Sequence, residues 1–284
     1  MSTIVVLTAL ELEYQAVRQH LDEPRVRSHP AGTLFEVGHL PDVAGTVALA
    51  VTGEGNVGAA VLAERAIAMF RPRALLCVGV AGGLKDDIAL GDVVVATKVY
   101  ALHGGRDHDD GFLTRPKAWH ASHDLEQFAR YVARSGTWTS LLWPGPPGRP
   151  PAVHFKPIAS GEVVFNAADT TFTTRLRATY DDAVAVEMES AGVAQAAHLN
   201  RSLPVLSVRG ISDRANRGKR MADAAGWQHV AAGHAAAFTV TMSALALRDE
   251  VPARACGSGS AGPGPEPGPA DAPLMEKSVT MAPV

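Results

Sequence analysis

Apolar, β-branched runs alternate along most of the chain with stretches whose apolar positions recur three and four residues apart. Ile4–Ala9, Thr33–Val37, Thr46–Thr52, Ala74–Val80, Asp92–Tyr100, Val184–Glu187 and Pro204–Arg209 read as strands. Several are apolar at successive positions, the pattern of a strand covered on both faces. Leu10–Leu21, Val57–Phe70, Ser122–Arg134, Glu189–Asn200 and Gly226–Leu247 carry the helical period. Strands alternating with helices predict an α/β fold around a central mixed or mostly parallel sheet. Two segments fit neither pattern. Trp143–Pro151 is built of Pro and Gly and predicts a stiff surface loop. Residues 250–284 lose their large apolar side chains to Gly, Pro, Ala and Ser and predict a disordered tail behind one domain of residues 1–249.

Composition narrows the function classes. A chain of 284 residues can bury one substantial core, and its formal net charge of −3 supplies no overall attraction for nucleic acid or an anionic membrane. Small-molecule chemistry is favoured. The two cysteines, Cys77 in an apolar run and Cys256 in the tail, imply no disulfide framework and fit a reducing cytosol. The run from Ile4 to Leu10 has no basic leader, is too short to span a bilayer and meets Glu11 and Glu13 at once, so a cytoplasmic location is expected.

Gly53, Gly55 and Gly58 have the spacing G-x-G-x-x-G between a strand pattern and a helix pattern. A dinucleotide site also needs the first strand of its unit and an acidic residue about 20 positions on, holding the ribose. Here the strand is not the first, and the next one runs into Ala81-Gly82-Gly83 with no acid at its tip. The glycines therefore predict a tight turn and a closely packed helix. Acids at strand ends carry more information. Val186-Glu-Met-Glu189 and Ser212-Asp213 end two apolar runs, and Glu13 follows a third. Carboxylates at the ends of core strands face the ligand crevice of an α/β sheet, where an ionised one can accept two hydrogen bonds from neighbouring ribose hydroxyls. Each alone is commonly a helix cap or a solvated charge; three together predict a shared site.

With Ala9-Leu-Glu-Leu-Glu13, Thr52-Gly-Glu-Gly-Asn-Val-Gly58, Val78-Gly-Val-Ala-Gly-Gly-Leu84, Gly91-Asp-Val-Val-Val-Ala96, Ser160-Gly161, Val186–Glu189 and Arg209-Gly-Ile-Ser-Asp213 in this order, the chain resembles the purine nucleoside phosphorylase/uridine phosphorylase superfamily, within it the 5′-methylthioadenosine/S-adenosylhomocysteine nucleosidases. The resemblance covers nearly all of residues 3–247. It implies a three-layer α/β/α sandwich with a central mixed sheet, a homodimer, an adenine nucleoside as substrate, and no metal or organic cofactor. By position, the resemblance implies that Asp213 protonates or hydrogen-bonds the purine at N7, held by Ser212, and that Glu189 binds the ribose hydroxyls, with Met188 against the sugar. Glu13 deprotonates the attacking water and Arg209 helps to hold it. Phosphorolytic relatives place a Gly-Asp-Pro-x-Arg loop where this chain has Thr8–Glu13, and a carboxylate there repels phosphate and suits water.

The chain departs from the family pattern in three places. Where the nucleosidases stack a phenylalanine on the base, Val164 stands at that position and Phe165 one later; Val80 replaces a serine near the water. A longer central region, about 101–152, carries His103, Asp107, His108, Asp109 and Asp110, whose spacing matches no defined metal motif and predicts a solvated loop. Nucleosidase-like domains with such a region resemble those of regulatory or defence proteins. Arg106, Arg115, Lys117 and Arg214 are candidate cations for a phosphorylated adenosine such as AMP or ATP, the runner-up substrate class. A non-catalytic nucleoside-sensing module is the reading from another class, in which the two acids assigned to chemistry would have no task.

Overall fold

Along β1 (Thr3–Thr8), Ile4 and Val6 point into one apolar cluster while Val5 and Leu7 point into another. A strand buried on both faces needs a helix layer on each side. The computed structural model describes residues 2–102, 104–109, 111–142, 150–164, 170–215 and 219–248, with the side chains at 219 and 220 left out. After β1 come α1 (Glu11–Arg18), β2 (Asp22–Ser28), β3 (Leu34–His39), β4 (Thr46–Val51), α2 (Asn56–Phe70), β5 (Ala74–Gly83) and β6 (Val93–Ala101). The central region holds β7 (Gly105–His108), β8 (Gly111–Thr114), β9 (Lys117–His120), α3 (His123–Ser135) and a 3-10 turn at Thr137–Leu141. The second half holds β10 (Val153–Ser160), α4 (Thr171–Thr179), β11 (Ala185–Glu187), α5 (Ser190–Leu199), β12 (Val205–Asp213), α6 (Lys219–Ala224) and α7 (Trp227–Arg248). The tail expected to be disordered, Phe165 and most of the Trp143–Pro151 loop lie outside the described residues.

The main sheet runs β11-β10-β6-β12-β5-β1-β4-β3-β2, with β9 added on β6. Its middle is parallel: β1 pairs in parallel with β4 and β5, and β5 with β12. β12 is antiparallel to β6, so the sheet is mixed. The last residues of β5 also pair antiparallel with β11, Ala185 against Gly83 and Val186 against Gly82, which closes one half of the sheet on itself. One face packs under α1, α3 and α7 through Val17, Leu125, Val132 and Phe238; the other packs under α2 and α5 through Ala59, Ala63, Ala66, Val193, Ala196 and Ala197. The expected three-layer α/β/α sandwich is the observed architecture. Helix α7 is long and apolar enough by composition to cross a membrane, but most of its alanines and Phe238 are buried here as a core helix is.

The structure corrects the strand ends. β5 runs on from Val80 to Gly83 and β12 from Arg209 to Asp213, so the acidic residue Asp213 is the last residue of its strand. The central region is also more ordered than a solvated loop: β7 and β8 form a hairpin, and β9 pairs with β6 from Lys98–His120 to Ala101–Lys117. Asp107 and His108 lie on that exposed hairpin and Asp109 in its turn, with His103 and Asp110 outside the described residues.

Candidate active site

The C-terminal ends of β5, β11 and β12 and the turn after β1 converge on a cleft of about 180 Å³. Glu13, Val80, Val164, Met188, Glu189, Ser212 and Asp213 all line it, as the sequence predicts. Arg209 does not. Its side chain is 1% exposed, behind the carboxylates.

Glu13 sits in the first turn of α1. Its Oε2 accepts from the backbone N–H groups of Ala9 at 2.8 Å and Leu10 at 2.9 Å, and its Oε1 accepts from that of Val80 at 2.7 Å. A carboxylate has about four lone-pair positions, so Oε1 keeps one for a ligand in the cleft. Burial pushes the Glu13 pKa up, against the lowering by Arg209 and the three N–H donors. A buried carboxylate raised in this way is a stronger base than an exposed one. Gly79 makes its position possible: a Cβ there would lie 2.3 Å from Glu13 Oε1 and 2.8 Å from Arg209 Nη1.

Glu189 follows β11 and precedes α5. Its Oε1 accepts from the Gly55 N–H at 3.2 Å, and its Oε2 from Arg209 Nη1 at 3.4 Å. One acceptor position remains on each oxygen, the arrangement that two vicinal hydroxyls require. Burial pushes its pKa up to about 8, opposed by Arg209 and reinforced by Glu187. The glycine turn is thus part of the site: Gly53 has φ +72° and Gly55 φ +102°, and these left-handed conformations aim the Gly55 N–H at Glu189.

Asp213 owes its direction to a bulge. The β12–β5 register shifts between Ile211 and Asp213, which brings Asp213 opposite Gly82, and such a shift re-aims the side chain beyond it. A Cβ on Gly82 would lie 3.0 Å from Asp213 Oδ1, so only glycine leaves that space. Ser212 Oγ donates to Asp213 Oδ2 at 3.0 Å, as expected, and the Ala215 N–H donates to Oδ1 at 2.7 Å.

Arg209 holds the acids from behind. Its Nη2 bonds Glu187 Oε2, Ser190 Oγ at 3.0 Å and Cys77 Sγ at 2.9 Å, while its Nε bonds Ser207 Oγ at 3.2 Å. Burial opposes the guanidinium charge, but Cys77, Glu187, Glu189 and Glu13 outweigh it and raise its pKa. The Cys77 thiol is itself pushed up to about 12 by burial. Arg209 fixes the carboxylates and shares their charge; its part in holding the water is what the resemblance implies. Arg214 is reassigned. Its Nη1 donates to the carbonyls of Lys85 and Ile88 and so ties down a loop, and its side chain does not line the cleft. Arg106, Arg115 and Lys117 are exposed on and around the β7–β9 strands, and no Lys or Arg among the described residues lines the cleft.

Sequence reasoning missed the residues that join the two halves of this site. Asn56 Oδ1 accepts from Ser160 Oγ at 2.9 Å and from the Gly192 N–H at 2.8 Å, while its Nδ2 donates to the Gly161 carbonyl at 2.9 Å. Glu187 accepts from the N–H groups of Glu189 and Ser190 and caps α5. Gly192 lets α5 meet α2: a Cβ there would lie 2.0 Å from the Asn56 carbonyl oxygen. Gly192→Ala is therefore expected to destabilise the fold by about 1–3 kcal/mol or more, read by denaturant unfolding. A midpoint equal to that of the wild type would show that α2 and α5 are not in forced contact.

The model of the phosphorylase superfamily matches residues 3–244. The chain is 28% identical over 227 residues to the 5′-methylthioadenosine/S-adenosylhomocysteine nucleosidase of Chromohalobacter salexigens, covering 76% of this chain and 86% of that one. It is 29% identical over 240 residues to the ATP nucleosidase Cap17 of Escherichia coli, covering 74% of this chain but only 46% of that longer protein. Among solved structures, the nucleosidase of Neisseria meningitidis in complex with methylthio-immucillin-A superposes with a TM-score of 0.72 at 23% identity, over 86% of this chain and all of that one. The futalosine hydrolase of Helicobacter pylori gives 0.70 at 23%, over 85% and 97%. These two likenesses concern the fold.

Proposed function

Because the chain belongs to the phosphorylase superfamily, we propose that it hydrolyses the N-glycosidic bond of 5′-methylthioadenosine or S-adenosylhomocysteine, releasing adenine. The observation that carries this is the meeting in one cleft of three differently prepared acids: Glu13 with one acceptor position open, Glu189 with two, and Asp213 aimed by a bulge. The ribose 2′- and 3′-hydroxyls donate to Glu189, with Met188 against the sugar. Asp213, held by Ser212, passes a proton to the purine N7. The electron pair of the C1′–N9 bond leaves with the base, C1′ gains cationic character, and a water on Glu13 Oε1 gives up a proton as its oxygen bonds C1′. General acid help of this kind is worth about 10²- to 10⁴-fold. The base lies by Val164, with Phe165 next in the chain.

Water is favoured over phosphate because the described lining is acidic. A dianion beside Glu13 and Glu189 meets like charge wherever these are ionised and finds no Lys or Arg among the described lining residues, while Arg209 behind them is already committed. The same lining disfavours AMP and ATP. Homodimeric assembly, a cytoplasmic location and a part in methionine salvage belong to this proposal and rest on the family resemblance. The test is adenine release from methylthioadenosine, S-adenosylhomocysteine, adenosine, AMP and ATP, with and without phosphate. Release from the two thioethers in phosphate-free buffer is the expected result; a strict phosphate requirement or release from the nucleotides alone would refute the proposal.

The raised Glu189 pKa sets a pH dependence. Only the ionised carboxylate accepts from both ribose hydroxyls at once, so a non-hydrolysable nucleoside analogue binds more tightly as pH rises through about 8. Below that value affinity should weaken by up to about tenfold per pH unit. Isothermal titration between pH 6 and 9 measures it, and a flat profile would contradict the ribose-binding role.

A further inference from the structure

Five carboxylates line the described part of the cleft: Glu13, Glu54, Glu187, Glu189 and Asp213. Four have work in the site as built, two in chemistry, one on the ribose and one capping α5. Glu54 is left over. It stands between Gly53 and Gly55 in the left-handed turn whose Gly55 N–H holds Glu189, so its backbone is fixed next to the ribose anchor. Its side chain is exposed at the cleft, and no hydrogen bond or ion pair engages its carboxylate among the described residues. Leu10, beside the Glu13 anchor, lines the cleft as well and is apolar.

The Gly55 N–H bond to Glu189 puts the Glu54 turn beside the group that takes the ribose hydroxyls, so Glu54 stands on the sugar side of the cleft, where a 5′ substituent can reach it. An unengaged carboxylate there attracts a donor or a cation and repels an anion. We infer that Glu54 is the specificity-determining residue for the 5′ substituent, selecting adenine nucleosides whose 5′ tail carries an ammonium group over those with a neutral thioether tail, and rejecting 5′-phosphates. The inference rests on the hydrolase reading and names the preferred member of its substrate class. A thioether tail ending in an amino acid places its ammonium within reach of such a group; a methylthio tail offers nothing to pair. Because Glu54 is exposed, the discrimination is modest and weakens with salt.

The test compares kcat/KM for S-adenosylhomocysteine, methylthioadenosine and AMP in the wild type, Glu54→Gln and Glu54→Lys. Ratios are taken within each variant, so a general loss of fold or turnover cancels. Glu54→Gln should lower the S-adenosylhomocysteine to methylthioadenosine ratio by about 3- to 10-fold. Glu54→Lys should lower it further and raise the AMP to methylthioadenosine ratio by about tenfold or more, both changes shrinking in 0.5 M salt, where the screening length falls to about 4 Å from about 10 Å at 0.1 M. Ratios that stay within about twofold of the wild type in both variants overturn the inference while leaving the hydrolase reading intact. A wild type that releases no adenine from any of the three overturns that reading, and the inference with it.

Discussion

Asp213→Asn is expected to lower kcat by about 10²- to 10⁴-fold while KM changes little. The amide fits the same space, because Ser212 Oγ can accept as well as donate and the Ala215 N–H still finds the side-chain oxygen. What is lost is the acidic proton. That proton is needed as the C1′–N9 bond lengthens and N7 becomes basic, so its absence is felt in the transition state and hardly in the bound substrate. Steady-state kinetics on methylthioadenosine checks the split. A raised KM with unchanged kcat would make Asp213 a binding group and leave the leaving base without an acid.

Arg209→Met should have the largest effect on stability. The substitution keeps a long side chain but removes the one cation found, among the described residues, between Glu187, Glu189, Glu13 and Cys77, in a place where Arg209 itself is 1% exposed. Breaking a buried ion pair by deleting one partner costs about 3–5 kcal/mol, mostly the penalty of leaving the other charge unpaired. For a domain of this size each kcal/mol moves Tm by roughly 2–4 °C, so a fall of about 6–20 °C is expected by calorimetry. The double variant Glu187→Gln/Arg209→Met removes the charge that is most closely paired and should recover part of the loss. An unchanged Tm in the single variant would mean that the carboxylates do not depend on the guanidinium.

The layers and the acidic cluster were legible because both follow from short-range pattern. Ile4 to Leu7 alternate between two cores, and strands continuous in apolar residues must be covered on both faces. Parallel strands then bring their C-terminal ends to one side, so Glu13, Glu189 and Asp213 could be grouped before any contact was known. What escaped was set by long-range contact or by weak local preference. β10 carries Pro157 at a register shift between Lys156 and Ile158, and proline in a strand reads as a break. β2 is an exposed edge strand with Val26 as its one large apolar residue. α4 is rich in threonine, a poor helix former, and depends on Thr170 accepting from the Thr173 N–H at 3.1 Å. The Asn56 junction joins positions more than a hundred residues apart, and no local pattern marks it. Gly53 and Gly55 were visible as a turn, but their part in holding Glu189 appears only when the strands are assembled.

The reaction in ¹⁸O-labelled water, with methylthioadenosine as substrate and no phosphate present, tests the central claim most directly. If Glu13 delivers water to C1′ as Asp213 protonates the base, mass spectrometry of the first-formed sugar finds one solvent oxygen at C1′ in step with adenine release, and Glu13→Gln loses both together. Adenine that appears only when phosphate is added, with the sugar carrying a phosphate at C1′, would contradict hydrolysis at this site.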